Sequence, residues 1–153
     1  MIVAGIDYGV RRVAFASPQA SSYHVLDLHS PGDRAAELSA LQLFTQTCVE
    51  QTGAEYVLVE HPIVGASGNR LTGVSLGMSA GALLVGAYLA GASAALVTPS
   101  EWKKGTVGRG NADKTEVAGW LCVHHYDIFE SCHDDQDLID ASCMALYAVQ
   151  MEA

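Results

Sequence analysis

Short apolar runs, most of them bounded by glycine or charged residues, predict five β-strands in this chain. The third run alternates polar and apolar positions with a period of two, which is typical of a half-exposed strand. Only short turns separate the first three runs, and this spacing predicts an antiparallel meander. The predicted strands cover residues 2–8, 12–17, 22–28, 55–60 and 92–98.

Helical spacing of apolar positions, together with helix-end signals, predicts five helices. The first has clear boundaries: Pro31 and Gly32 break the chain, Asp33 can act as an N-cap, and Gly53 ends the helix. Residues 61–70, which contain glycine and proline, are predicted to form a loop. The predicted helices cover residues 33–52, 71–90, 99–105, 112–124 and 135–151.

The order of these elements predicts an α/β fold. The fourth strand, the long helix and the fifth strand make a parallel crossover, which follows the antiparallel meander. This is the element order of the ribonuclease H-like fold, a five-stranded mixed sheet with helices on both faces. We expect three antiparallel strands followed by two parallel ones, in a single domain over residues 1–153.

Composition and charge give conflicting indications about the partner. Half of the 153 residues are apolar and 16% are charged, which excludes global disorder. Acidic residues outnumber basic ones by 17 to 8, a net charge of -9. Because phosphate binding normally needs a basic surface, this total argues against a nucleic acid unless the charges are segregated along the chain.

The cysteines and the N-terminus favour a cytoplasmic protein. The four cysteines are irregularly spaced, which is typical of reduced thiols. Asp7 interrupts the first apolar stretch, so that stretch is not a signal peptide. A zinc site is a minor alternative, because structural zinc pairs usually show C-x-x-C or H-x-x-x-H spacing. Its ligands would be Cys122, His125, Cys132 and His133.

No charged residue occurs between Leu71 and Ser100, so a membrane span has to be considered. A span needs about 20 predominantly large apolar residues with flanking anchors. Here the stretch is interrupted repeatedly by glycine, serine and threonine, with Pro99 near its end. A buried helix that leads into a buried strand fits this pattern better, and we expect no membrane association.

Four acidic residues form the most informative pattern. Asp7 and Glu60 lie at the ends of two predicted strands, and Asp137 and Asp140 share one face of the last helix. A turn, an exposed strand end or a solvated helix start could explain each acid alone. Gathering four carboxylates is costly unless a cation neutralises them. Mg²⁺ takes carboxylate, phosphate and water oxygens, and paired metal ions cleave phosphodiesters.

Half of the basic residues lie in one segment, whose glycines would let the backbone approach a phosphate closely. A solvated surface loop is the ordinary alternative. The four basic residues of this segment are Lys103, Lys104, Arg109 and Lys114.

Taken in order along the chain, these motifs resemble the RuvC-type Holliday-junction resolvases. GIDYG resembles that family's opening strand, and VLVEHPIVG followed by SLGMSAGALL resembles its second acidic strand and the long helix after it. TPSEWKKGTVGRGNADK resembles the family's lysine-containing segment, and DLIDASCMALYA its final D-x-x-D-A helix. Each motif is weak alone, but four in order at family spacing cover nearly the whole chain.

The resemblance implies a metal-dependent endonuclease that resolves four-way DNA junctions, with other branched DNA as an open possibility. It implies that two Mg²⁺ or Mn²⁺ ions bind to the four acids, and that Lys103 and Lys114 hold the scissile phosphate. The implied products carry a 5′-phosphate and a 3′-hydroxyl. The expected catalytic set is Asp7, Glu60, Asp137, Asp140, Lys103 and Lys114, and the expected DNA-binding set is Arg70, Lys103, Lys104, Arg109 and Lys114.

Two departures from the family pattern leave questions open. Asp134 lies one turn before Asp137, and His133 could replace the first helix acid, as some family members use histidine there. The family often has an aromatic residue after the catalytic Glu, whereas Glu60 is followed here by His61 and Pro62. This puts base stacking and a sharp cleavage preference in question; a viral origin is compatible with these features.

The resemblance also implies a homodimer, since a four-way junction has near two-fold symmetry. Gly73, Gly77 and Gly81 share one helical face and would allow close approach either of a partner or of the protein's own sheet. Two alternative functions stay open. IDYGVRRVAFAS also resembles the YqgF-like RNA-processing nucleases, although these lack the later motifs, and a non-catalytic junction-binding module is the second alternative.

Overall fold

A computed structural model describes residues 1–28, 33–62 and 70–152 of the chain. Its five strands are β1 (Val3–Tyr8), β2 (Arg12–Ser17), β3 (Ser22–Asp27), β4 (Tyr56–Glu60) and β5 (Ser93–Val97). They form one sheet in the order β3-β2-β1-β4-β5. The pairs β3–β2 and β2–β1 are antiparallel, and β1–β4 and β4–β5 are parallel. The predicted mixed sheet is confirmed.

Six α-helices accompany the sheet in the described residues, one more than predicted. They are α1 (Arg34–Thr52), α2 (Arg70–Leu89), α3 (Pro99–Thr106), α4 (Lys114–His124), α5 (Tyr126–Ser131) and α6 (Gln136–Glu152). The short α5, and a single 3-10 turn at Pro18–Ala20, escaped prediction because neither is long enough to develop a periodic apolar pattern. The predicted break at Pro31 and Gly32 and most of the predicted loop over 61–70 lie outside the described residues.

The predicted boundaries of α1 are confirmed in detail. The Asp33 side chain accepts a hydrogen bond from the backbone N–H of Ala36 at 3.1 Å, as an N-cap does. Gly53 adopts φ 69°, the left-handed conformation that ends many helices and that glycine tolerates without a steric penalty.

The sheet separates two apolar cores because successive strand residues point to opposite faces. On one face, Ile6 and Val59 pack with residues of α1 and α2, including Leu41 and Leu83. On the other face, Val3 and Leu58 pack with Trp102 of α3 and with the buried side of α6. Asp7 and Glu60 follow the alternation of Val3 and Leu58, so they lie on the α6 face of the sheet.

The approach of α6 to the sheet depends on Gly5 in the middle of β1. A Cβ atom at this position would collide with the backbone carbonyl of Ala141 in α6. The missing side chain therefore lets the helix backbone rest directly on the strand. This contact lies two residues from Asp7 and one residue from Asp140, and it sets the distance between the acids of β1 and α6.

The helix α2 is only partly covered by the rest of the domain. Ser79, Leu83 and Ala87 are buried, whereas Val74, Val85 and other large apolar residues are exposed. This helix is long and apolar enough to cross a membrane by length and composition, with a mean hydropathy of 1.4, but 28% of that window is buried inside the domain. The buried side shows that α2 is part of the core of this fold.

Candidate active site

Strand register and helix docking bring the four predicted acids to one edge of the sheet. In the parallel pair β1–β4, Ile6 lies opposite Val59, and the next residues along are Asp7 and Glu60. Asp137 lies in the first turn of α6 and Asp140 follows one turn later on the same face. The carboxyl groups of Asp7 and Asp137 are close enough to share a hydrogen bond.

The crowding of these carboxyl groups shifts their acidity. Burial, followed by the negative charges of Glu60, Asp140 and Asp137, holds the pKa of Asp7 well above its ordinary value. Burial also raises the pKa of Asp140 to about 6, with the charge of Glu60 adding to the effect and a hydrogen bond from Gln136 opposing it. The pKa of Glu60 is raised by burial. Unless a cation neutralises them, such carboxyl groups remain protonated to a higher pH than usual.

Glu60 has a specific hydrogen-bond partner on α3. The indole Nε1–H of Trp102 donates to the Glu60 Oε2 atom at 3.0 Å. This hydrogen bond, and the nearby positive charge of Lys103, lower the pKa of Glu60 against the larger effect of burial. The α3 segment therefore contributes both a fixed donor and a positive charge to the acid at the end of β4.

Arg12 pairs with the acids at the start of α6. Its guanidinium donates to both carboxylate oxygens of Asp135, at 3.1 and 2.5 Å, and to Asp137 Oδ2 at 2.8 Å. Asp135 also accepts hydrogen bonds from the backbone N–H groups of Asp137 and Leu138, which makes it the N-cap of α6. Arg12 thus ties β2 to the helix start and partly neutralises Asp137.

Two further side chains adjoin the acids. Gln136 donates from Nε2 to Asp140 Oδ1 at 2.9 Å. The hydroxyl of Tyr8 is buried and has no hydrogen-bond partner among the residues that the structure describes, and its pKa is raised by burial and then by the charges of Glu60 and Asp7. Neither of these two neutral side chains offsets the charge of the acids.

The predicted basic residues differ in their relation to the acids. Lys103 lies near Glu60 and Asp140, whose pKa values its charge lowers, and its Nζ atom is 5.6 Å from the centroid of the Trp102 ring. Lys114 begins α4 and lines a groove of about 430 Å³ together with Gln136, which itself bonds Asp140. Lys103 therefore borders the acidic edge, and Lys114 shares a groove with Gln136, which bonds one of the acids.

The other three predicted DNA-binding residues are exposed. Arg109 forms an exposed ion pair with Glu116 at 3.1 Å. Lys104 is an exposed residue of α3, and Arg70 is the exposed first residue of α2. None of the hydrogen bonds or ion pairs found in residues 1–28, 33–62 and 70–152 joins these three residues to the four acids.

The alternative ligands His133 and Asp134 lie outside this cluster. His133 lines a separate groove with Tyr23, His24 and Glu130, and both it and Asp134 are exposed with positive φ angles of 49° and 59°. Among the residues that the structure describes, no group of three or more His, Cys, Asp or Glu side chains is arranged to hold a metal ion as it stands. The minor zinc interpretation therefore gains no support.

The donor set nevertheless fits a hard divalent cation in its chemistry. The four side chains offer only carboxylate oxygens, which Mg²⁺ and Mn²⁺ prefer over nitrogen or sulfur. Burial and then repulsion from the other acids raise the pKa of Asp7, and a bound cation would relieve that repulsion. Because Arg12 engages Asp137 and Gln136 engages Asp140, ligation requires local rotation of these two carboxylates.

Comparison with known proteins shows which proteins this chain resembles. No protein-family model matches the chain. The chain is 28% identical to the crossover junction endodeoxyribonuclease RuvC of Chlamydia muridarum over 155 aligned positions, which cover 95% of this chain and 89% of that protein. The solved structure of Thermus thermophilus RuvC superposes with a TM-score of 0.76 at 22% identity, covering 99% of this chain and 97% of that one. The chain resembles RuvC in both sequence and fold.

This finding confirms the predicted resemblance and the ribonuclease H-like fold. A second T. thermophilus RuvC structure, solved in complex with a Holliday junction substrate, matches with a TM-score of 0.71 at 16% identity and covers 99% of this chain and 96% of that one. These solved structures support the fold, while the RuvC name of the curated relatives bears on the activity proposed below.

Sequence reasoning missed the side chains that support the four acids. Asp135 could have been found, because an aspartate directly before a helix is a common N-cap. Trp102 and Arg12 carried no comparable signal, since their partners Glu60 and Asp135 lie 42 and 123 residues away along the chain.

Proposed function

We propose that this chain is a metal-dependent, structure-selective endodeoxyribonuclease that resolves four-way DNA junctions by symmetric nicking. The observation that carries the proposal is the convergence of Asp7, Glu60, Asp137 and Asp140 at one edge of the sheet. A module that only bound DNA would not need four converging acids, which repel phosphate as well as one another. The RuvC name shared by the curated relatives supports the same activity.

We propose Mg²⁺ or Mn²⁺ as the cofactor, with two ions held by the same four carboxylates. When bound, such ions activate a water molecule and stabilise the leaving oxygen, so that the products carry a 5′-phosphate and a 3′-hydroxyl. The two cations would also offset four of the nine excess negative charges of the chain. The acidic total and a DNA substrate are therefore compatible.

The basic residues of the chain supply the contacts to phosphate in this proposal. Lys103, beside Glu60 and Asp140, holds the scissile phosphate or the charge that develops on it. Lys114 would do the same from the start of α4. Arg70, Lys104 and Arg109 would bind more distant phosphates of the branched DNA, and this binding should weaken with salt.

A homodimer would place two such sites symmetrically on one junction. The exposed side of α2 is the surface that supports it: Val74, Met78, Val85 and Tyr88 are all exposed. A Cβ atom at Gly77 or Gly81 would meet no other atom within 4 Å, so a second backbone has room to approach there. An exposed apolar patch of this kind is typical of a protein interface.

We further propose that residues 1–153 act as one nuclease domain in the cytoplasm, without membrane association. Two other functions compete with junction cleavage: RNA processing, as in the YqgF-like nucleases, and junction binding without catalysis. They differ from the main proposal in substrate and in turnover, so one assay can separate them.

The deciding experiment is a nicking assay on a synthetic mobile four-way junction, with a linear DNA duplex and a structured RNA as parallel substrates. We expect the wild-type chain with Mg²⁺ or Mn²⁺ to introduce paired nicks in the junction. Asp7→Asn should reduce the rate at least about a hundredfold, because the buried carboxylate is lost. Asp134→Asn is a matched control on the exposed surface and should retain activity.

The outcomes distinguish the three functions. Tight junction binding without metal-dependent cleavage would support the non-catalytic alternative, and preferred cleavage of the RNA would support the RNA-processing one. Strong inhibition by Asp134→Asn would mean that the choice of helix acids has to be revised.

A further inference from the structure

The indole of Trp102 is buried and faces Glu60. Trp102 has no exposed surface, and its Nε1–H donates to Glu60 Oε2 at 3.0 Å. An indole N–H can only donate, and burying it without an acceptor is costly. A residue without an N–H group would suffice for apolar packing. The indole N–H of this tryptophan therefore indicates a role that involves Glu60.

The backbone around Trp102 is held firmly on two sides. Its helix begins directly after β5 with a complete capping box, in which Thr98 and Glu101 satisfy each other's backbone N–H groups. At the other end of α3, Gly105 rests against the Tyr147 ring of α6, where a Cβ atom would collide with the ring. The indole donor is thus fixed relative to both β5 and α6.

This fixed donor restricts the orientation of the Glu60 carboxylate. Glu60 is the last residue of β4, and the bond from Trp102 occupies one lone pair of its Oε2 atom. The Oε1 atom and the remaining lone pair of Oε2 stay available to a cation.

We propose that Trp102 is a positioning residue, whose indole N–H holds the Glu60 carboxylate in the orientation that receives a divalent cation. The inference rests on the proposed metal-dependent function. Hydrogen bonds from outside the ligand set commonly orient carboxylate ligands in this way, and their loss weakens metal binding by about 10- to 100-fold.

The chain offers a direct spectroscopic test because it has two tryptophans, Trp102 and Trp120. Trp120 stacks on His124 of α4, with ring centroids 5.2 Å apart, and serves as the matched control. In a ¹⁵N–¹H correlation spectrum of the full chain, the variant Trp120→Phe identifies the indole cross-peak of Trp102. Titration with Mg²⁺ at fixed pH then follows both indoles.

We expect the Trp102 cross-peak to move with Mg²⁺ along a saturable curve, while the Trp120 cross-peak stays in place. The variant Glu60→Gln should shift the Trp102 cross-peak without metal, because an amide replaces the carboxylate acceptor, and should abolish its response to Mg²⁺. By calorimetry, Trp102→Phe should bind Mg²⁺ about tenfold more weakly than the wild type, and Trp120→Phe should bind it equally well.

The outcomes separate this inference from the proposed function. If the wild type binds Mg²⁺ but Trp102→Phe binds it with the same affinity, the positioning role is wrong, even if that variant is less stable. If Trp102→Phe does not fold, the spectra of Trp120→Phe decide: a Trp102 cross-peak that stays fixed at saturating Mg²⁺ overturns the inference. A wild-type chain that binds neither Mg²⁺ nor Mn²⁺ would instead overturn the metal-dependent function itself.

Discussion

The two long helices α6 and α2 are unusual in opposite ways: α6 partly buries acidic side chains, and α2 exposes large apolar ones. The first turns of α6 bring Asp137 and Asp140 into a crowded, partly buried group of acids. The helix α2 instead exposes large apolar side chains such as Val85 and Tyr88, whose exposed fractions are 51% and 76%. Buried charges and exposed apolar patches are the informative exceptions in a folded protein. Here the first supports the proposed cation site, and the second supports the proposed protein interface.

The difference arises from what each helix packs against. The helix α6 lies against the middle of the sheet and is covered on its outer side by α3 and α4, so eight of its residues are buried. The helix α2 packs on α1 and on the edge of the sheet near β5, and it buries five residues. Similar apolar content thus leads to a central element in one case and to a half-open surface in the other.

The largest expected effect comes from removing the close approach of α6. Gly5→Ala should lower the free energy of unfolding by about 3 kcal/mol, because the new methyl group collides with the Ala141 carbonyl. Chemical denaturation of the metal-free protein measures this change. Gly119→Ala in α4 is the control: its Cβ would meet no atom within 4 Å, so it should stabilise the helix by about 0.5–1 kcal/mol. Equal effects of the two variants would contradict this account of the packing of α6.

The next effect concerns α2 and the proposed dimer. Val85→Glu places a charge on the exposed apolar side of α2, where Val85 is 51% exposed, and should weaken self-association at least about tenfold. Sedimentation equilibrium at micromolar concentration measures the association. Val123→Glu in α4 is a matched control at a residue that is 78% exposed. If both variants remain as dimeric as the wild type, or if the wild type is monomeric, α2 is not the interface.

The pH dependence of the free energy of unfolding and of self-association distinguishes the acids near α6 from the exposed side of α2. The pKa of Asp140 is raised from 3.8 to about 6 in the folded chain, so the folded state binds the proton more tightly than the unfolded state. Without divalent cations, the free energy of unfolding should therefore rise as the pH falls from 7 through 6, by up to about 1.4 kcal/mol per pH unit for each extra proton bound. Glu60 and Asp7 shift in the same direction.

The control for this series is Asp140→Asn, which should show a smaller dependence on pH. Self-association through α2 should not follow the same pH curve, because α2 contains no aspartate, glutamate or histidine. Stability that falls steadily from pH 7 to 5 would contradict the raised pKa values.

The smallest expected effect comes from Arg12, which pairs with Asp135 and Asp137. Because the Arg12 side chain is 37% exposed, solvent screens these ion pairs, and Arg12→Gln should cost about 1 kcal/mol of stability in metal-free protein. Mg²⁺ should reduce this loss, since a bound cation replaces the missing positive charge. Thermal unfolding with and without Mg²⁺ measures both quantities. Arg109→Gln, which removes an ion pair from a side chain that is 60% exposed, should cost less and should not respond to Mg²⁺.

The sequence alone determined the frame of the fold and the location of its acids. Period-two and helical patterns predicted the five strands and the long helices, and the predicted strand ends located Asp7 and Glu60. These features depend on residues close in sequence and on chain order, so they can be predicted from the sequence alone. The short α5 and the N-cap Asp135 are local features as well, but the sequence patterns that mark them span only a few residues.

Only the tertiary structure decided which side chains act on those acids. The contacts of Trp102 with Glu60 and of Arg12 with Asp135 and Asp137 depend on how α3 and α6 dock against the sheet. Docking follows from close packing over the whole core, including the glycine contact of β1 with α6, and no local pattern encodes it. The same packing buries one side of α2 and leaves the other exposed. From periodicity alone, it was open whether a face of α2 packs in the core or forms an interface.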